Sequence, residues 1–204
     1  MSIAERLKRM KTTLKKEARI LEEIAEAIDE KTASAVDLLL NTRGHVLVGG
    51  AGTSNPVARR FAHLLSCSGR PALFISTADA LHGGAGAVTP ADTVVLISKG
   101  GKTREVNGFA RIAKERGARL VAFTEAPESE LGRMADAVVK VKVPPGSDPY
   151  GMVATASSLA NAAVADAICE TILVESGYSL ESFAATHPGG AVGEKIEQGG
   201  FLKK

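Results

Sequence analysis

The chain has 204 residues, 45% of them hydrophobic and 24% charged, with a formal net charge of +2 at pH 7. That length suits one α/β domain, or one domain with a helical extension, and the small, scattered charge argues against a nucleic-acid partner. No apolar run approaches the roughly 20 residues of a membrane span. The opening Met1-Ser2-Ile3-Ala4-Glu5-Arg6 lacks a secretion-signal core, so a cytoplasmic protein with no membrane partner is expected.

Residues 3 to 40 read as one long helix or two, with apolar positions at Ile3, Leu7, Met10 and Leu14, then Ile20, Leu21, Ile24 and Ile28, then Leu38 to Leu40. From Val46 the pattern becomes strand, turn, helix, repeated. Strands are predicted over residues 46–49, 72–75, 93–97, 120–123 and 138–141, with helices over 56–68, 103–116 and 129–134 between them. Short apolar strands alternating with helices indicate parallel pairing buried on both faces. With right-handed crossovers this gives an α/β fold, a three-layer αβα sandwich around a five-stranded parallel sheet. A long alanine-rich helix follows over 152–176, and Pro188-Gly189-Gly190 breaks helix before a polar end. The expected organisation is an N-terminal helical segment over 1–42, the sheet domain over 43–193 and a tail over 194–204. Cys67 and Cys169 fall in helical segments without metal-ligand spacing, and both read as reduced, buried small hydrophobes. No metal or cofactor is expected.

Two glycine- and hydroxyl-rich turns carry the chemistry. The first, Gly49-Gly50-Ala51-Gly52-Thr53-Ser54, and the second, Ser98-Lys99-Gly100-Gly101-Lys102-Thr103, each follow an apolar strand and precede a helix. Free N–H groups at a helix start, helped by the helix dipole and by nearby hydroxyls, make a site for phosphate. Lys102 adds a point charge. The first turn lacks the third glycine of a dinucleotide fingerprint, and neither turn has nucleotide P-loop spacing, so a dehydrogenase is disfavoured. In a 2-1-3-4-5 sheet the strand order reverses between strands 1 and 3, which places both turns at the ligand crevice. Of the histidines, His45 and His63 read as structural or exposed. His82, in a glycine-rich loop after the second strand, is a candidate for the same crevice. His187, set before Pro188-Gly189-Gly190, suits proton transfer or sugar ring opening.

Residues 46 to 193 resemble the sugar isomerase (SIS) domain family, particularly its arabinose-5-phosphate isomerase branch, with its flavodoxin-like strand order. The matching pieces are Gly50-Ala51-Gly52-Thr53-Ser54, Leu81-His82-Gly83, Val88-Thr89-Pro90-Ala91-Asp92, Ile97 through Thr103, Pro127-Glu128-Ser129 and His187-Pro188-Gly189-Gly190-Ala191-Val192-Gly193. The resemblance implies a homodimer or homotetramer that binds a sugar phosphate and lacks the regulatory CBS modules of larger members. Ser54, Ser98 and Thr103 would hold the phosphate, with Gly52, Thr53, His82, Gly100 and Gly101 lining the substrate, and His187 would reach a neighbouring subunit's site. The branch usually has a lysine where this chain has Thr53, and glutamates where it has Lys102 and, by alignment, Gly146. Lys102 is then the replacement cation, and Glu105 or Asp148 the replacement base, with Glu125 a third carboxylate to look for beside the sugar's C1 and C2. The expected function is aldose–ketose isomerisation of a sugar phosphate. The alternative is a non-catalytic or regulatory phosphosugar-binding protein, and a third reading is lyase or amino-sugar phosphate chemistry on the same scaffold.

Overall fold

A computed structural model describes residues 1–199. In chain order its elements are α1 (Ile3–Glu26), α2 (Glu30–Leu40), β1 (Val46–Gly50), α3 (Ser54–Cys67), β2 (Ala72–Phe74) and α4 (Thr77–Ala80). There follow β3 (Thr93–Ile97), α5 (Arg104–Glu115), β4 (Arg119–Thr124), α6 (Glu130–Met134), β5 (Ala137–Lys140), α7 (Ala156–Glu175), α8 (Leu180–Thr186) and α9 (Gly190–Glu197). The five strands are all parallel, in the order β2-β1-β3-β4-β5.

Side chains alternate across a strand with a period of two, and the sheet divides them between two cores. Val46, Val48, Val95, Ile97, Val121 and Phe123 face α1, α2, α3 and α7. Leu47, Val94, Leu96, Leu120 and Ala122 face α4, α5 and α6. Both β1 and β3 are buried at every position, which explains their unbroken apolar sequence. Phe61 of α3 meets Phe123 edge-on at 5.5 Å between ring centroids, tying α3 to the sheet.

The N-terminal apolar pattern resolves into two helices. Asp29 caps the second by accepting the Thr32 N–H at 3.1 Å, which stops α1 from running through. Only Ile20 and Ile24 of α1 are buried, while Ile3, Leu7, Met10 and Leu14 stay exposed along one side. α3 starts two residues before Pro56, whose missing N–H costs nothing in a first turn.

Three expectations need correction. The 156–175 helix is long and apolar enough to cross a membrane by composition, contrary to the sequence reading. Here one side of it, including Ala160, Val164, Ile168 and Ile172, is buried in the core. The Pro188-Gly189 break does not end helical structure; it separates α8 from α9, with Gly189 at the N-cap. α9 runs into the expected tail, of which residues 200–204 lie outside the described residues. Cys169 is buried, and that burial pushes its thiol up to about 12, whereas Cys67 is only half-buried, at the end of α3.

Candidate functional site

The crevice is built by register. Gly50 at the end of β1 pairs with Ile97 at the end of β3, so the chain leaves both strands side by side at the carboxyl edge of the sheet. Each segment then starts a helix within a few residues, α3 from Ser54 and α5 from Arg104, and the two positive helix ends lie next to each other.

The first turn is open. Gly52 has φ +56°, a conformation that favours glycine, and its missing side chain would point into free space. Thr53 and Ser54 follow, and Thr53, at the N-cap, makes no side-chain cap bond among the described residues. The second turn is closely supported. Ser98 is buried, and its hydroxyl lies 3.0 Å from that of Thr103. Gly101 has φ +61°, and a Cβ there would overlap the Ser129 hydroxyl. The Gly101 carbonyl accepts from Leu131 N–H at 3.2 Å and Asn107 Nδ2 at 3.2 Å. The Lys99 carbonyl accepts from Thr124 Oγ1 at 2.8 Å and from the Glu125 N–H at 2.9 Å.

Gly52, Thr53, Ser54, Ser98, Gly100, Gly101 and Thr103 therefore gather at one edge. Lys102 and Glu105 stand exposed beside the second turn, at and just before the first residues of α5. His82 is exposed in the loop after α4, with its N–H bonded to the Asp79 carbonyl at 3.0 Å. His187 is not in this group. Its ring stacks on Phe183 at 3.8 Å, its Nδ1 lies 2.9 Å from the Phe183 carbonyl, and its Nε2 lies 3.5 Å from Cys67 Sγ. Cys67 ends the 14-residue helix that Ser54 begins. At 1.5 Å per residue, that puts His187 roughly 20 Å from the first turn of its own chain.

His45 is exposed at the start of β1, and His63 lies on α3 with Nε2 3.7 Å from Cys67 Sγ. Asp148 is buried and already hydrogen-bonded to Ser157 and Lys99, which makes it a poor proton acceptor and removes it as the replacement base. Lys99, directly after the turn's first serine, is part-exposed and paired with Asp148, a contact the sequence does not announce.

This arrangement is a doubly wound sheet with two glycine- and hydroxyl-rich turns at its reversal point, where sheets of this class hold their ligands. The chain belongs to the SIS domain family, whose model matches residues 39–170. It is 34% identical over 186 residues to the arabinose 5-phosphate isomerase KdsD of Salmonella typhi, covering 91% of this chain and 57% of that protein. The arabinose 5-phosphate isomerase KpsF of Escherichia coli is 31% identical over 188 residues, with 92% and 59% covered. The chain thus spans somewhat over half the length of these relatives. Among solved structures, a candidate sugar-phosphate isomerase of Listeria monocytogenes superposes with a TM-score of 0.89 at 33% identity, covering 93% of this chain and all of that one. An Escherichia coli CFT073 protein in complex with arabinose 5-phosphate gives 0.88 at 27%, with 92% and 100% covered.

Proposed function

We propose that this chain is an aldose–ketose isomerase of a sugar phosphate, of the arabinose 5-phosphate type, working in the cytoplasm as a homodimer or homotetramer. The observation that carries the reading is the pair of anion turns, with the Ser98 and Thr103 hydroxyls 3.0 Å apart at the head of α5. The relatives named arabinose 5-phosphate isomerases and the neighbour holding arabinose 5-phosphate support the substrate class. The phosphate is held by Ser54, Ser98, Thr103 and the turn N–H groups, which fixes the sugar's far end. Isomerisation then moves a proton between adjacent carbons through an enediol. Glu105, exposed in the first turn of α5, takes that proton. Lys102 stabilises the negative charge that develops on oxygen. His187 of a neighbouring copy opens the ring, because its own turns lie too far away.

Deuterium exchange at C2 of arabinose 5-phosphate in heavy water, followed by NMR, tests the reaction. Exchange is expected in the wild type and should fall on the order of 10²- to 10⁴-fold in His187→Ala, with little change in phosphate affinity. Binding without exchange in the wild type would instead support the non-catalytic reading. The assembly is tested separately. Ile3, Leu7, Met10 and Leu14 repeat at intervals of four and three along the exposed side of α1, a seam that suits a second helix. Leu7→Asp with Leu14→Asp should lower the sedimenting mass at micromolar concentration, and a monomeric wild type would contradict the oligomer.

A further inference from the structure

A buried carboxylate beside the second turn has no part in the reaction above. Asp148 is 4% exposed, and both its oxygens are engaged. Oδ1 accepts the Ser157 N–H at 3.0 Å, while Oδ2 accepts the Ser157 hydroxyl at 2.6 Å and Lys99 Nζ at 2.9 Å. Burial pushes the Asp148 carboxyl up, but the hydrogen bonds from Ser157 and Lys99 outweigh it and hold the group below the usual carboxylate range. The carboxylate is therefore charged at neutral pH. Because Ser157 is the second residue of α7, that charge also faces the positive end of a 20-residue helix. Asp148 is shared between helix and lysine, and it does not neutralise the lysine alone.

Lys99 is the other half of the pair. Its side chain is 36% exposed, and among the described residues its ammonium makes this one hydrogen bond, leaving two of three donors for a ligand. The alternation along β3 tells which way it leans. Ile97 packs on the side of α3 and α7, Ser98 turns to Thr103 at the head of α5, and Lys99 returns to the α7 side to reach Asp148. α3, which the first turn opens, lies on that same side. The other three ion pairs (Arg60–Asp166, Arg111–Glu130 and Lys114–Asp136) join side chains that are all more than a third exposed. The Lys99–Asp148 pair is thus the one with a buried member among the described residues, and it stands next to the crevice. A buried ion pair is weak evidence of stabilisation in itself, because desolvation offsets most of the attraction. A phosphate ester carries a charge of about −1.5 to −2 near neutral pH, and hydroxyls and N–H groups do not balance it.

We propose that Lys99 is the cation that recognises the ligand's phosphate as a dianion, and that Asp148 is its positioning residue. The inference rests on the phosphosugar reading and names a contact that reading does not contain. It makes Lys99, held in place, the counterpart that Thr53 in the first turn does not supply, and leaves the unanchored Lys102 to the reacting end of the sugar.

The experiment is calorimetric titration with arabinose 5-phosphate from about pH 5 to about pH 8, across the second ionisation of a phosphate ester near 6. Wild type, Lys99→Arg, the double variant Lys99→Met with Asp148→Asn, and Ser98→Ala with Thr103→Ala are compared. Removing both members of the pair leaves no uncompensated buried charge. Wild-type affinity should rise with pH as the dianion forms. In the double variant affinity should drop tenfold or more and the rise should flatten, while Lys99→Arg should stay within about threefold of wild type. If the double variant melts below the assay temperature, Lys99→Gln is read in its place by the same two criteria. A double variant with wild-type affinity and an unchanged pH profile would show a purely structural pair and overturn the proposal. Should the wild type bind no sugar phosphate, the phosphosugar reading falls and this inference with it; a Ser98/Thr103 variant that binds normally would instead remove the phosphate from the second turn and overturn this inference alone.

Discussion

The two anion turns share composition and position but differ in how they are held. The first is held at its start, where the Thr77 hydroxyl donates to the Gly50 carbonyl at 3.2 Å, but at Gly52 it faces open space, with no cap bond from Thr53. The second is wedged by Ser129 against Gly101, braced by Asn107 and Leu131, and tied through Lys99 to Asp148. A preorganised set of donors loses less freedom on binding than a loose one. The second turn is thus the fixed half of the crevice and the first the adaptable half.

Substituting the two glycines breaks that comparison most directly. Gly101→Ala combines a left-handed conformation, costing about 1–2 kcal/mol, with an overlap on Ser129 that adds about 1–3 kcal/mol. Gly52→Ala carries only the conformational cost, since its side chain meets nothing. Urea unfolding should therefore rank Gly101→Ala well below Gly52→Ala, and equal losses would mean the two turns are equally held. In binding, Ser98→Ala with Thr103→Ala should raise the dissociation constant for a sugar phosphate tenfold or more, since each hydrogen bond to a charged acceptor is worth about 1.5–3 kcal/mol. The smallest effect concerns acid. The Asp148 carboxyl lies below its unfolded value of about 3.9, so its contribution to stability is fully present above that pH. It is lost as pH falls through the lower folded value. Asp148→Asn should flatten that part of the wild type's acid-unfolding curve and leave the curve above about pH 5 unchanged in shape.

Much of this was legible in the chain. Unbroken apolar runs such as Val94 to Ile97 suit a strand covered on both faces, and their alternation with helices indicated a parallel sheet, while its order came from the family resemblance. The turns were legible because glycine next to hydroxyl residues at a strand end has few other uses. Contacts across long stretches of sequence were not. Lys99 and Asp148 are 49 residues apart, and nothing local marks them as partners. The place of His187 depends on α8 folding back to the end of α3, and Pro188-Gly189 gave a break without a direction. The helix at 156–175 is hard to see as a continuous apolar run because its alanines dilute it while keeping its mean hydropathy high.

The length of α3 has a genetic consequence. One end of that rod carries the anion turn and the other touches the imidazole of the same chain, so under the proposed reading no copy completes its own site. A gene crippled at Ser98 and Thr103 and another crippled at His187 would each encode an inactive protein, yet expressed together they would yield mixed assemblies in which some sites draw an intact part from each. Two inactive proteins would then recover activity together where neither has it alone.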